Sequence, residues 1–320
     1  MAQALALPDE AEFNSITLIN IGARFRNDLD ALVTWCRRYG LLSSHMVCQA
    51  CNTRCIEYNF GRGIDERIWR CNNQRCKRTT SIRKGSFFSG SHLHLWQLLA
   101  LTYMWSTNCG RPRGPSQANI MKELEIGSEH TVVDWNQFCR DVTVNYFRNH
   151  PEQLGGPGVI VEIDESLFSK RKNHVGRVVR EQWVFGAYEP ATKKGLLIPV
   201  EARDAATLLP IVRQWIAPGS HVHSDMWRAY NQIVLIPGQN YQHDTVNHTR
   251  HFVDPQTGVT TNHVEAMWSR AKAKIKSMMG PTNREMSEDY MAEFMWNQRF
   301  GESPFYNFWH QIASELYIVH

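Results

Sequence analysis

Apolar residues recur at helical spacing in some stretches of this chain and at strand spacing in others. Leu29, Leu32, Val33 and Cys36 fall three to four apart within residues 12–42, which predicts a helix stopped at Gly40. Leu95, Leu98, Leu99, Thr102 and Tyr103 predict another over 92–107, broken by the loop from Gly110 to Pro115. Ser116 opens a short helix through Ile120 and Leu124 that ends in a turn at Gly127. A second starts at Ser128, with Val132, Trp135, Cys139 and Val142 as its apolar face. Helix, glycine turn, helix is the pattern in which the second helix can enter a DNA major groove, although any αα-hairpin shares it.

Four breakers in a row, Gly155 to Gly158, predict a domain boundary. After them the texture changes. Val159–Asp164, Trp183–Tyr188 and Gly195–Val200 read as strands, the last two joined by the turn from Glu189 to Gly195. Asp204–Ile216 reads as a helix, His221–Asp225 as a short strand and Asn262–Met279 as an amphipathic helix. Strands followed by alternating helix and strand predict a mixed α/β domain with one sheet.

Composition narrows this picture. The 320 residues, 42% hydrophobic and 11% aromatic, suit a globular protein of two or three domains rather than a disordered or fibrous chain. Thirty-five Lys and Arg against 31 Asp and Glu leave it weakly basic. No run of 18 apolar residues occurs, and the first residues lack a basic start before an apolar core, so secretion and membrane spanning are disfavoured. Five of the eight cysteines bunch within residues 48–76, which points to a metal site in a reducing compartment rather than a disulfide framework.

Cys48-x2-Cys51 and Cys71-x4-Cys76 supply two thiolate pairs, the donor set of a closed structural Zn²⁺ site. Cys55 could stand in for Cys51, but a two-residue gap suits the tight knuckle better. Arg62, Arg67, Arg70, Arg75, Lys77, Arg78, Arg83 and Lys84 face only Asp65 and Glu66, so this module is either a phosphate-backbone binder or a solvated charged face. Lys170, Arg171 and Lys172, with Arg177 and Arg180 nearby, lie between the first two strands. They predict a hairpin tip that contacts DNA, or a nuclear localisation signal.

Three acids carry the candidate chemistry. Asp164 and Asp225 each close a strand, and Glu265 sits in the first turn of the helix from Asn262. Two strand-end carboxylates and a third from a packed helix can hold two Mg²⁺ ions for displacement at phosphorus. Their structural alternatives are strand-end turns for the aspartates and an Asn262 capping box for Glu265. On the helical wheel Val264, Met267, Trp268, Ala271, Ile275 and Met278 form the buried stripe. Glu265 falls at its edge, beside Lys272 and Lys276, where an acid can face a site and a phosphate.

In order and extent these stretches resemble the Merlin-type DNA transposases and their bacterial insertion-sequence relatives. The matching segments include Trp69 to Cys76, Ser81 to Phe88, Val161 to Ser166, Lys170 to Lys172, Phe185-Gly186, Ala205 to Pro210, and Ser224 to Tyr230. They continue with Val246 to His248, Phe252 to Asp254, Gly258 to Glu265, and Glu293 to Trp296, covering most of residues 48–300. The resemblance implies an RNase H-like α/β catalytic domain with a mixed sheet and flanking helices, preceded by a zinc ribbon and a helix-turn-helix-like region. The corresponding limits are 1–45 (an N-terminal helical segment matching nothing), 46–90, 91–154, 155–282 and a helical tail at 283–320.

It also implies Asp164, Asp225 and Glu265 as catalytic ligands of two Mg²⁺ (or Mn²⁺) ions, and Cys48, Cys51, Cys71 and Cys76 as zinc ligands. The implied activity is cut-and-paste transposition: binding terminal inverted repeats, cleaving the ends and joining the 3′-hydroxyls to target DNA. Synapsis of two ends implies a homodimer or larger assembly on double-stranded DNA, without a membrane partner. The cell compartment would be the nucleus in a eukaryotic host and the cytoplasm otherwise. A domesticated, non-cleaving DNA-binding protein and a nuclease without strand transfer are the other readings. Arg75, Lys77, Arg78, Lys170, Arg171, Lys172, Lys272 and Lys276 are the expected DNA contacts.

Overall fold

The computed structural model describes residues 7–108, 114–169, 182–247, 253, 258–278 and 287–317. Lys170, Arg171, Lys172, Arg177, Arg180, His248 and Asp254 lie outside the described residues, as does the Lys276 side chain. The chain divides into two compact units.

The first unit comprises described residues up to 108, 114–142 and 300–317. The single helix expected over 12–42 is three: α1 Glu10–Ser15, α2 Leu18–Phe25 and α3 Leu29–Arg38. Caps that the apolar spacing conceals cause the breaks. Thr17 and Asn20 form a capping box that restarts the chain as α2, and the Asp28 carboxylate accepts from Ala31 N to start α3. A three-stranded antiparallel ribbon follows, β1 Cys55–Asn59, β2 Arg67–Cys71 and β3 Thr79–Ser81, with Cys55 opposite Cys71. Buried Arg83 ties it down: its guanidinium grips Asp65 with two bonds, at 2.7 and 2.6 Å, and donates to the carbonyl of Leu93 at 2.7 Å. α4 Leu95–Asn108, α5 Gln117–Leu124 and α6 Glu129–Asn149 come next. α5 ends at Glu125 in the left-handed region (φ 54°), two residues before the expected glycine turn. The core is aromatic: Phe13 meets Trp35, Tyr39 and Phe305, while Phe87 and Phe88 pack on Phe308 and Trp309 of the helix Pro304–Gln311.

The second unit spans described residues 143–299. β4 Leu154–Gly155, β5 Ile160–Ser169, β6 Gln182–Glu189, β7 Lys194–Val200, α7 Ala205–Trp215, β8 Ile216–Ala217 and β9 His221–Asp225 follow in order. A 3₁₀ helix Arg228–Leu235, β10 Gln242–Val246, α8 Asn262–Met278 and α9 Ser287–Phe300 complete it. The glycine-rich stretch at 155–158 is not wholly irregular, because Leu154–Gly155 pairs in parallel with Ile216–Ala217. Gly155 has φ +88°, and a Cβ there would run into Ser220 and Val161.

The main sheet is mixed, in the order β10-β9-β5-β6-β7. β5, β6 and β7 pair antiparallel, and β9 and β10 add in parallel on the other side of β5. Alternation sends successive side chains to opposite faces. Val161, Ile163, Phe185, Ala187 and Val222 pack one face under α7 and the 3₁₀ helix. Val184, Tyr188 and Leu197 pack the other under α8 and α9, with Met267, Trp268, Ala271 and Met291. Among the described residues no helix is long and apolar enough to cross a membrane.

Candidate active site and metal centres

The ribbon gathers Cys48, Cys51, Cys71 and Cys76, all four sulfurs within 4.8 Å of one another. Cys48 Sγ lies 3.7 Å from Cys76 Sγ, and Cys51 Sγ lies 3.4 Å from Cys71 Sγ. A tetrahedral Zn²⁺ with bonds of about 2.3 Å sets its sulfurs about 3.8 Å apart, so this donor set fits that ion. Cys55 is buried on β1 and stands outside the cluster. Hydrogen bonds from Thr53 hold the Cys51 thiol down to about 6, whereas burial pushes Cys71 up to about 12. A cation bound here would draw off the remaining thiol protons and offset the repulsion among four thiolates.

The basic residues of the ribbon separate into two kinds. Arg83 is 2% exposed and bound to Asp65, and Arg67 pairs with Glu57 and Asp30, so both hold the fold together. Arg75, Lys77 and Arg78 are exposed. α6 buries the expected face, Val132, Trp135, Cys139 and Val142, but it also buries Arg140 and exposes Asp134.

In the second unit Asp164 and Asp225 share the sheet face under α8. Glu162 stands opposite His223 in register, and each aspartate lies two residues further along its strand. Asp164 does not close β5 as expected: the strand runs on to Ser169, because residues 165–167 and 169 continue the antiparallel pairing with β6. β5 is the central strand of the sheet, and Asp225 is the last residue of β9. Burial, with the charges of Glu165 and Asp225 added, raises Asp164 to about 7. Burial is the larger cause, and the neighbouring carboxylates add to it in disfavouring the charged form. Asp225 Oδ1 also accepts from Trp227 N at 2.9 Å, so its turn-forming and site-facing roles coexist.

Trp268 Nε1 donates to Asp164 Oδ2 at 3.0 Å. Glu265, Trp268 and Lys272 are spaced three and four apart on α8 and share a stripe of the helix. Burial lowers Lys272, and the Asp164 charge opposes that shift. Among the described residues, the oxygens of Asp164, Asp225 and Glu265 do not form a ligand set within 4.8 Å of one another. The capping-box reading of Glu265 does not fit, because Asn262 is already inside α8. The amides of His263 and Val264 are instead held by Glu162 Oε2, at 2.9 and 3.0 Å.

Two further acids of β5, Glu162 and Glu165, each have their own task. Glu162, 1% exposed, caps the start of α8 from the sheet and bonds His263 Nδ1 at 2.6 Å. Glu165 points to the opposite face and accepts from the Tyr230 hydroxyl; burial raises it to about 7. Arg203, also unforeseen, stacks between Trp183 and Trp227, at 4.1 and 4.6 Å from the ring centroids. Lys274 forms a buried ion pair with Glu293, joining α8 to α9 at 3.0 Å. The alternation of acids at 162 and 164 along one strand was the available signal for Glu162; nothing local marked the tryptophan partners of Arg203.

Comparison with known proteins places these features in context. The ISXO2-like transposase domain matches residues 153–298. An uncharacterised transposase-like protein of Haemophilus influenzae is 31% identical over 100 residues, which are 31% of this chain and 75% of that protein. Among solved structures, a cryo-EM structure of the simian T-cell lymphotropic virus intasome in complex with PP2A regulatory subunit B56 gamma matches at 13% identity. That match has a TM-score of 0.31 and covers 57% of this chain and 64% of the other, under two thirds of its length.

Proposed function

Because this chain belongs to the insertion-sequence transposases of the ISXO2-like kind, we propose that it cuts and joins DNA as a cut-and-paste enzyme of the Merlin-type pattern, with an RNase H-like catalytic domain. Asp164, Asp225 and Glu265 are its metal-binding acids. The observation that carries this reading is that Asp164 and Asp225 share one sheet face, where burial, with neighbouring carboxylate charge added, raises Asp164 to about 7. When bound, two Mg²⁺ or Mn²⁺ ions supply positive charge at the attacking and leaving oxygens of a phosphate displacement.

The chain's own residues do the positioning. Trp268 fixes the Asp164 carboxylate, and Glu162 anchors the start of α8, so that Glu265 and Lys272 stand on the same helix stripe as Trp268. Lys272 and Lys276 serve the phosphates of the bound strand. In the first unit the four-cysteine ribbon holds structural Zn²⁺ and presents Arg75, Lys77 and Arg78 to the DNA backbone. The exposed Asp134 and buried Arg140 of α6 favour the ribbon over that helix as the main contact. Lys170, Arg171 and Lys172 are assigned to end or target DNA. The domain limits given above, a dimer or larger assembly on paired ends, and a nuclear or cytoplasmic location set by the host complete the reading.

The test is to incubate purified protein and Mg²⁺ with DNA carrying the inverted repeats that flank the coding region. Cleaved ends joined to a second DNA support transposition. Binding without cleavage supports the domesticated alternative, and cleavage without joining supports a nuclease.

A further inference from the structure

β9 carries a second set of side chains on the face that bears Asp225. His221 and His223 alternate with Asp225 along the strand, and in the parallel register Asp244 of β10 stands opposite His223. Their ligand atoms lie within 4.8 Å of one another. The imidazoles meet edge-on with centroids 4.7 Å apart, and His221 Nε2 lies 2.6 Å from Asp244 Oδ2.

His223 is 5% exposed, and neither of its ring nitrogens has a hydrogen-bond partner. The Thr260 backbone faces the ring without reaching hydrogen-bond geometry. A neutral imidazole has one N–H and one lone pair to satisfy, and burying both unpaired is unfavourable. The arrangement therefore lacks a partner atom between His223 and the His221–Asp244 pair.

We propose that His221, His223 and Asp244 form a binding site for a divalent transition-metal ion of the zinc class, separate from the cysteine cluster and from the Asp164–Asp225 carboxylates. Two imidazoles and one carboxylate suit such an ion, whereas Mg²⁺ takes an all-oxygen set. Donors about 2.0–2.2 Å from a tetrahedral ion lie roughly 3.3 Å apart, so the direct His221–Asp244 contact opens by less than about 1 Å on binding. Asp244, half exposed, is free to make that movement. The neighbouring candidates are engaged elsewhere: His243 faces the other side and meets Ser224 Oγ at 2.8 Å, and Glu162 is held by α8.

β10 is an edge strand, and an ion here ties it to β9 about 6.6 Å, one pleat, before Asp225. The site braces the strand that ends in that acid. It stands whether or not the chain transposes DNA.

The test counts zinc in the full-length protein after treatment with a weak chelator and dialysis against Zn²⁺, with millimolar Mg²⁺ present to hold the carboxylate pair. Wild type is expected to retain about two equivalents per chain, and Asp244→Asn and His223→Gln about one. Cys71→Ser loses the other equivalent. Asp244 is a surface residue, so its variant remains informative if the His223 variant does not fold; a thermal melt checks this. About one equivalent in wild type, or the same content in wild type and Asp244→Asn, overturns the proposal.

Discussion

The indole of Trp268 donates to the Asp164 carboxylate at 3.0 Å and lies over Gly186, the residue paired with Asp164 on the neighbouring strand. A side chain at 186 would occupy the space of that ring, so the glycine, the tryptophan and the acid form one device. The bond favours the ionised form of Asp164, the form that binds a cation.

Trp268→Phe keeps the apolar ring and removes the donor. Cleavage should slow by about tenfold at limiting Mg²⁺, a loss in keeping with about 1–1.5 kcal/mol for one hydrogen bond. The acid limb of the pH–rate profile should move to higher pH, since Asp164 ionises less readily without the bond. Gly186→Ala should displace the indole and lower both stability, by about 1–3 kcal/mol, and activity. A pH profile for Trp268→Phe that overlies wild type would show that the bond does not tune the acid.

Glu162→Gln should destabilise the second unit by about 1–3 kcal/mol, because a buried carboxylate that holds two helix-start amides loses its charge. Denaturant unfolding measures this. An unchanged midpoint would mean that α8 is anchored elsewhere.

Arg83→Ala and the triple replacement of Arg75, Lys77 and Arg78 by Ala separate fold from DNA contact within one ribbon. Breaking the buried Arg83–Asp65 pair should cost about 3–5 kcal/mol. The triple variant should melt like wild type, yet its log affinity for DNA should fall less steeply with log salt, by about 2–3 in slope. An unaltered slope would place the phosphate contacts elsewhere.

Without divalent cations, stability should fall as pH rises. Asp164 and Glu165 stand at about 7 in the folded chain, against ordinary values of 3.8 and 4.5. The folded state therefore binds more protons than the unfolded chain between roughly pH 4 and 7, and stability declines across that window. Burial is the main cause of both shifts and Asp225 adds to them; Trp268 opposes the first, and Tyr230 and Arg203 the second. Thermal melts at about pH 5 and pH 8 should show the fall in wild type, a smaller one in Asp164→Asn, and recovery on adding Mg²⁺ to wild type alone. A flat pH response would show that Asp164 and Glu165 are not raised in the folded chain.

Where the sequence was readable, the signal was periodic. The limits of β9 at Asp225 and the start of α8 before Glu265 follow from alternation and helical spacing, whereas β5 outruns its expected end at Asp164; the cysteine gaps singled out the four clustered residues over Cys55. The break-up of residues 12–42 was hidden because Thr17 and Asp28 act as caps through bonds that an apolar pattern does not register. Edge strand β10 is polar along most of its length and gave no strand signal, so the meeting of Asp244 with His221 could not be seen. Arg83 read as surface charge because its partner, Asp65, is 18 residues away.

End cleavage and joining in Mg²⁺ with Asp164→Asn measures whether the acids support the chemistry through bound metal charge. This variant keeps the shape and the Trp268 partner but removes the charge, so it should bind end DNA as wild type does, melt no lower in metal-free buffer, and lose cleavage and joining by at least about a thousandfold. A folded Asp164→Asn protein that cuts at near wild-type rate would contradict the account.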